Sequence, residues 1–490
     1  MNRGRRDVVG LVAACKHRRM RYRRLTCFLL AAGMLGASCG VADGSDGGAS
    51  STTAITPKPD EVLSAKAVLA RLRGSVALLD TPIASGSAVL TEGGYLVTNA
   101  HVVEPFDVVD VTFEGEDAKR DVAVVGVDLS ADIAVLGPIE TDHKPLAIAD
   151  PTGLDQGSEL FLVGYPGDQE DPEVTITSGV LSRRREAKEW GLSFLQSDAK
   201  IAPGQSGGAL VDDHGQVIGI SGLSDEDDYA LSLAGDNVVD SVKAILADDG
   251  STWEPAPHTA TDRSESFTMA GPADVRLLYL PATVQDRKVT IGVTGTSPAV
   301  ELDDVGQYPL GLNQAAYDAY EGGVDSYGDD LPPATKPDAD GRWTFPIDAG
   351  YPAVLAVSSG AQRSTPLQVT STEPFAVVSG DPDLIPLKVN SAPRTGTSGY
   401  LDVGMIFSLA LVKGDKVDIV AQSAIGDMAF AVVAPGEVYD GSQQVDDGGG
   451  GLFDQDAAGS YTAAETGTYA LRVGQVEGTA TEFRLTVKSA

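Results

Sequence analysis

Lys200-Ile201-Ala202-Pro203-Gly204-Gln205-Ser206-Gly207-Gly208-Ala209-Leu210 sets one serine among glycines and starts an apolar strand directly behind it. The glycines leave open backbone around the side chain between them, as an attacking hydroxyl requires. A serine hydroxyl is a weak nucleophile at neutral pH. It needs an imidazole to take its proton and a carboxylate to hold that imidazole in the right tautomer. Both partners lie upstream: His101 in Gly94-Tyr95-Leu96-Val97-Thr98-Asn99-Ala100-His101-Val102-Val103, and Asp132 in Ser130-Ala131-Asp132-Ile133-Ala134-Val135-Leu136.

Taken singly, each residue has an ordinary structural explanation. His101 reads as a satisfied side chain at the end of an apolar strand, Asp132 as a turn or cap residue, and Ser206 as part of a plain Gly-rich loop. The surroundings narrow the choice. Between about Glu61 and Leu246 the chain is a series of short β-type runs, such as Ser87–Leu90, Tyr95–Thr98, Val108–Phe113, Asp121–Val127 and Glu159–Gly164, separated by turns rich in Gly, Asp and Pro. That spacing predicts an all-β barrel or sandwich. Helices are expected at Asp60–Leu72, from its apolar spacing, and at Asp236–Ala247.

His101, Asp132 and Ser206 stand in the order His, Asp, Ser, each in a matching local string. With Gly86-Ser87-Ala88-Val89-Leu90, Val163-Gly164-Tyr165-Pro166-Gly167, Ile176-Thr177-Ser178-Gly179-Val180-Leu181-Ser182 and Leu195–Leu210, they resemble the catalytic domain of trypsin-like serine proteases of the HtrA type over about 190 residues. The resemblance implies a chymotrypsin-like double β-barrel of six strands each, with His101 and Asp132 on the first and Ser206 on the second. It implies an acyl-enzyme route on polypeptide substrates, with Ser206 as nucleophile, His101 as base and Asp132 as its orienting partner, and with the N–H groups of Gly204 and Ser206 as oxyanion hole. It also points to Lys200, Ile201, Ala202 and the strand Ile220-Ser221-Gly222-Leu223 as the substrate-binding wall. There Ile201 suits a small or medium aliphatic side chain, while Lys200 either favours an acidic one or turns to solvent. No cofactor and no metal are expected; His143 and His214 fall in Asp-rich turns without ligand spacing and read as surface residues. Envelope protein quality control follows by analogy alone. Two other readings stay open: a binding or adhesion protein whose barrel is an inactive scaffold, and a self-processing factor acting on one partner.

The chain has 490 residues, 70 acidic and 36 basic, for a formal charge of −34. Nine of the basic residues and one acidic residue precede Gly40, so the remainder, with 69 against 27, is more acidic still. Such a surface repels phosphate backbones and argues against a nucleic-acid partner. Lys16, Arg18, Arg19, Arg21, Arg23 and Arg24 precede the apolar run Cys27–Ala37, the pattern of a secretory signal, and Met20 is an alternative start. Leu35-Gly36-Ala37-Ser38-Cys39 resembles a bacterial lipoprotein box, which implies lipidation of Cys39 as the only membrane attachment, although Gly36 stands where the family favours a branched apolar residue. Ordinary cleavage nearby, with Cys39 incidental, is the other explanation. All three cysteines, Cys15, Cys27 and Cys39, lie in this leader, so the folded domains are expected without disulfides. The stretch after it is Gly, Ser, Thr, Asp and Pro, a flexible tether.

The resulting organisation is a leader at 1–39, a tether at 40–59, a protease domain at 60–250, a linker at 251–264, and β-sandwich modules at 265–385 and 386–490. The loop and helix of a PDZ domain, common after such a barrel, are not found. Instead Asp286–Val293 aligns with Gly414–Ala421, and Ala349–Val357 with Thr466–Val473, which predicts two related sandwiches. The second, from Gly399 to Lys488, resembles the pre-peptidase C-terminal domains of secreted bacterial proteases. Acidic turns at Asp427 and Asp446-Asp447 read as solvated loops rather than calcium sites. Tyr317, Tyr320 and Tyr327 read as scattered aromatics of a loop.

Overall fold

The computed structural model describes residues 61–490 except 82–84, 105, 117–119, 167–172, 203, 225–228, 248–259, 261, 272–273, 282, 284, 286, 296–297, 303–336, 348–352, 360–363, 378–383, 399–404, 438–442, 446–447, 451–455 and 476–480. The leader, the tether, Cys39, the Tyr317–Tyr327 segment and Asp446-Asp447 therefore lie outside the described residues.

Twelve strands close into two barrels. The first comprises β1 (Val76–Asp80), β2 (Ser85–Leu90), β3 (Leu96–Thr98), β4 (Val108–Phe113), β5 (Arg120–Asp128) and β6 (Ile133–Leu136) in the order β1-β2-β3-β6-β5-β4. The second comprises β7 (Glu159–Gly164), β8 (Thr175–Ala187), β9 (Leu192–Ser197), β10 (Ala209–Asp212), β11 (Val217–Ser224) and β12 (Ala230–Ala234) in the order β10-β11-β12-β9-β8-β7. Read from β7 backwards around the ring, the second order is that of the first, so one topology is used twice.

Burial explains which strands alternate and which do not. In β4, Val109, Val111 and Phe113 are buried while Val108, Asp110 and Thr112 are half exposed, the period-2 pattern of a strand with one face in a barrel interior. In β6 and β10 all four residues are buried, because the second face of each lies in the seam between the barrels. Leu78, Val89, Val97, Ile133 and Val135 of the first barrel share that seam with Phe161, Val163, Ala209, Val211 and Ile220 of the second. Strands with two buried faces read as unbroken apolar runs, as Ile133-Ala134-Val135-Leu136 does.

Three helices complete this part: α1 (Ala65–Leu72), α2 (Ala100–Val103) and α3 (Gly235–Ala247). The expected first helix starts late. Residues 61–64 stay extended because the Leu63 N–H donates to the Asp213 carbonyl at 2.7 Å and the His214 ring nitrogen lies 3.0 Å from the Glu61 carbonyl. From the second barrel, α3 returns to the first, where Ile245 packs against Gly126 and the Ser241 hydroxyl donates to Asp128 at 2.6 Å.

Two sandwiches follow. The first contains β13 (Asp262–Met269), β14 (Val275–Leu280), β15 (Arg287–Thr294), β16 (Pro298–Leu302), β17 (Arg342–Ile347), β18 (Ala353–Ser359) and the long β19 (Thr365–Val377). The second contains β20 (Leu384–Leu387), β21 (Arg394–Ser398), β22 (Met405–Leu411), β23 (Lys416–Ser423), β24 (Met428–Val433), β25 (Gln444–Val445), β26 (Gly448–Gly450), β27 (Asp456–Thr462), β28 (Gly467–Gln475) and β29 (Thr481–Ser489). The antiparallel pairs β13–β19, β14–β18, β15–β17, β15–β19 and β16–β18 recur as β21–β29, β22–β28, β23–β27, β23–β29 and β24–β28. The aligned sequence segments are equivalent strands, β15 with β23 and β18 with β28. β13 begins at Asp262, inside the stretch that composition marks as linker, because its backbone pairs with β19. Each sandwich closes on its own core, Leu278, Val289, Phe345 and Leu355 in the first and Phe407, Ile419, Phe430 and Leu471 in the second.

Candidate active site

The site lies where the two barrels meet. β3 delivers its polar end to the seam, and the chain turns at Asn99 into α2, so His101 sits on a single helical turn rather than at the end of a strand as the sequence suggests. Asp132 directly precedes β6, with φ at +54°, a left-handed conformation that Asp tolerates better than most non-glycine residues because its short side chain can hydrogen-bond locally. That backbone aims both carboxylate oxygens at one neighbour. Oδ1 accepts the His101 backbone N–H at 2.9 Å, and Oδ2 lies 2.7 Å from His101 Nδ1. The Asp132 side chain is only 3% exposed and the imidazole 19%, so the pair keeps one edge open to the cleft. Burial is the largest influence on His101 and opposes its protonation, but the charge of Asp132 and its hydrogen bond together outweigh it and hold the imidazole above its ordinary range.

Ser206 comes from the loop before β10. Its half-buried hydroxyl donates to the Gly222 carbonyl at 3.4 Å, a long and weak bond. Asn99 binds the two barrels together here. Its Oδ1 accepts the Gly207 N–H at 2.6 Å, its Nδ2 donates to the Asp132 carbonyl at 2.9 Å, and a Cβ on Gly222 would fall within 2.7 Å of its amide. One buried amide therefore touches the residue after Ser206, the backbone of Asp132 and the residue whose carbonyl holds the Ser206 hydroxyl.

The loop conformation is tightly determined. Gly204 and Gly207 have φ of +89° and +82°. At Gly207 a Cβ would come 2.0 Å from the Ser87 carbonyl oxygen and 2.1 Å from Thr98 Oγ1, so only glycine fits. Ser87 ties the loop to the first barrel: its N–H donates to the Ser206 carbonyl at 2.7 Å, and its hydroxyl donates to the Gly204 carbonyl and accepts the Tyr165 N–H, both at 2.8 Å. Gln205, 2% exposed, ties it to the second: Oε1 accepts the Ala202 N–H at 2.8 Å and Nε2 donates to Thr175 Oγ1 at 3.1 Å. With the Gly204 and Ser206 carbonyls so engaged, their N–H groups meet no protein acceptor among the described residues. Two unpaired amides beside a hydroxyl are what a tetrahedral oxyanion needs.

The residues of the expected substrate wall are not equally accessible. The Lys200 side chain is exposed, and its carbonyl accepts the Thr177 hydroxyl at 2.9 Å. Ile201 is half-buried against the core of the second barrel, and Ala202 is half-buried. Ile220 and Ser221 are buried, and Gly222 is half exposed. The histidines in acidic turns are more engaged than surface residues. The His143 ring stacks on Phe113 with centroids 4.3 Å apart and places Nε2 3.2 Å from Glu116. Among the described residues no cluster of His, Cys, Asp and Glu is arranged to hold a metal ion.

Asn99, Ser87 and Gln205 stand inside sequence strings that point to the site, yet no role is legible for them there. The partners of Asn99 and Ser87 are distant in sequence, and Gln205 joins its own loop at Ala202 to Thr175, 30 residues away.

Residues 84–220 match the family described as trypsin-like peptidase domain. The chain is 36% identical over 137 residues to a probable periplasmic serine endoprotease DegP-like of Halomonas elongata, covering 27% of this chain and 28% of that protein. It is 33% identical over 235 residues to the serine protease Do-like HtrA of Lactococcus lactis subsp. cremoris, covering 44% and 56%. A solved structure of the HtrA-type protease AlgW with a tripeptide aligns at 28% identity and a TM-score of 0.34, covering 37% of this chain and 64% of that one. The match thus spans less than two thirds of the length of these relatives. The double barrel is similar to the trypsin-like peptidase domain and to the HtrA-type serine proteases.

Proposed function

We propose that the chain is an exported serine endopeptidase that cleaves polypeptides through an acyl-enzyme on Ser206. His101 takes the Ser206 proton as the hydroxyl attacks the scissile carbonyl and returns it to the leaving amine. Asp132 holds the Nδ1–H tautomer and stabilises the imidazolium without itself taking the proton. The oxyanion collects on the N–H groups of Gly204 and Ser206, and water repeats the sequence to release the acyl group. The resting Ser206 hydroxyl points to Gly222, so attack begins with a rotation about its Cα–Cβ bond towards His101.

The observation that carries this reading is the Asn99 bridge, which ties the residue after Ser206 to the backbone of Asp132 and so holds contributions of both barrels at one point. A scaffold has no physical need for a buried carboxylate in a left-handed conformation facing an imidazole beside two unpaired amides. Ile201, Ala202 and Gly222 form the accessible substrate wall, with Lys200 at its rim. Release of peptides from an unfolded protein such as reduced casein tests the activity. The parent degrades it and Ser206→Ala does not; equal degradation by both chains would refute the assignment.

Export is supported by the basic and apolar run before Gly40, and the Halomonas relative is named as periplasmic. Cys39 is the lipid attachment point in this reading. Mass spectrometry of the mature N-terminus is expected to find a diacylglyceryl group on Cys39, and an unmodified terminus further downstream would refute it.

A further inference from the structure

Each C-terminal sandwich packs against one of the two segments that bear the first barrel's part of the site. Phe106, three residues beyond α2, is fully buried and meets the buried Tyr279 of β14 edge to face, with ring centroids 5.8 Å apart. Its N–H donates to the Val103 carbonyl at 2.9 Å, which ties this contact to the last residue of the helical turn carrying His101.

The second sandwich reaches the segment before Asp132. Residues 128–131 form a turn capped by Asp128, whose Oδ1 accepts the Ser130 N–H at 3.1 Å, the Ser130 hydroxyl at 2.7 Å and the Ala131 N–H at 3.2 Å. The Leu129 carbonyl in that turn accepts the N–H of Glu482 in β29 at 3.3 Å. Glu482 pairs with Thr397 of β21 on one side and lies one residue beyond the end of the β23–β29 pairing on the other, where that edge of β29 is open. Beside this contact Ala424 and Ile425, 2% and 4% exposed, belong to the same apolar core as Ala187 and Leu192 of the β8–β9 hairpin, with Trp190 packed against it. Arg484 closes the contact, its guanidinium 5.5 Å above the Trp190 ring and 3.2 Å from Glu189.

Asp132 is the first residue after this turn and holds a left-handed backbone conformation, φ +54°, which residues other than glycine adopt sparingly and Asp more readily than most. Such a conformation persists only where the surroundings over-determine it. Within the turn Asp128 supplies three hydrogen bonds, and α3 holds Asp128 from behind; the outer side of the turn is met by β29.

We propose that the second sandwich is a positioning module for Asp132: β29, anchored on the β8–β9 hairpin through Ile425, Trp190 and Arg484, fixes the 128–131 turn and thereby sets the carboxylate on His101. The sandwich touches neither substrate nor reacting atoms and acts through Asp132 alone. The inference rests on the reading of His101, Asp132 and Ser206 as one catalytic set. It ascribes to the module after the protease a task in the chemistry rather than in recognition.

The test uses the full mature chain carrying Ile425→Asp, because a carboxylate cannot remain in that apolar contact unpaired. Two quantities are read. One is the titration of the His101 ring by NMR in a Ser206→Ala background, assigned with His101→Gln. The other is the rate at which a fluorophosphonate labels Ser206 in the active background. Undocking is expected to lower the His101 proton affinity about tenfold, since the Asp132 carboxylate no longer supports the imidazolium, and to slow labelling at least tenfold, with far-ultraviolet circular dichroism unchanged. Trp190→Ala removes the same anchor from the barrel side without a new charge and is expected to move both quantities in the same direction, about threefold; it decides the matter if Ile425→Asp does not fold. Titration and labelling unchanged within experimental error in Trp190→Ala and in folded Ile425→Asp would overturn the proposal. A parent chain that does not label at Ser206 would remove the proposed activity, while the His101 titration would still decide whether the sandwich positions Asp132.

Discussion

Replacing Asn99 by alanine should damage stability and chemistry together, because this one side chain spans the seam. The substitution removes one of the two acceptors of the Gly207 N–H, the 2.6 Å bond to Asn99, and leaves the other, the Ser221 carbonyl at 2.7 Å, a loss of about 1 kcal/mol. It also removes the 2.9 Å donor to the Asp132 carbonyl, worth about 1 kcal/mol. With the small cavity left behind, the expected loss is about 2–3 kcal/mol. Asn99→Asp separates the contributions, since its carboxylate still accepts from Gly207 but faces the Asp132 carbonyl with no donor. Chemical denaturation of the Ser206→Ala chain and of its double variants, which avoids self-digestion, measures the stability. Labelling of Ser206 by a fluorophosphonate measures the chemistry and is expected to fall at least tenfold in Asn99→Ala. Stability within 0.5 kcal/mol of the parent, with labelling at full rate, would refute the view that this amide holds the two halves of the site in register.

Other consequences follow from the same geometry. Gly207→Ala places a methyl group 2.0 Å from the Ser87 carbonyl at a φ of +82°, so a loss of several kcal/mol and of all labelling is expected, read by thermal melting and labelling side by side. Gln205→Leu removes the acceptor of the Ala202 N–H and frees the oxyanion loop from Thr175; kcat on a peptide ester should fall about tenfold with KM little changed, and a pure KM effect would argue for a substrate-binding role instead. Because Asp132 raises His101, the acidic limb of kcat/KM should lie above the ordinary imidazole value of about 6.5, with activity lost as pH falls through it. The same shift contributes stability that is fully present below the ordinary value and lost as pH rises through the raised one, so Asp132→Asn should flatten that part of the stability profile measured by melting against pH.

His101, Asp132 and Ser206 were legible as candidates because the proposed chemistry demands particular residue types, and chain order and local strings narrow where they occur; the structure puts His101 and Asp132 in contact. Strand spacing announced an all-β barrel or sandwich and the family resemblance a double barrel, while the unbroken apolar runs such as Ile133–Leu136 mark the seam once two buried faces are recognised. The duplication of the sandwiches showed in period-2 segments alone, since β15 and β23 alternate while the loops between equivalent strands differ. What escaped sequence reading depends on distant partners. Residues 61–64 are extended because Asp213 and His214 hold them, not for any local reason. Thr98 ends its strand and Asn99 turns it into α2, so His101 stands on a helical turn that an apolar string cannot announce. Asn99, Ser87 and Gln205 are ordinary polar residues until their partners across the seam and within the Ser206 loop are known. His143 looked like a solvent-facing residue because nothing near it in sequence marks Phe113 as its stacking partner.

The most direct measurement is peptide mapping by mass spectrometry after exposure of the mature chain to a fluorophosphonate. The account predicts one adduct, stoichiometric and on Ser206, abolished in His101→Ala although that chain remains folded. Absence of an adduct on the folded parent, or an adduct on Ser206 that forms at the same rate without His101, would contradict it.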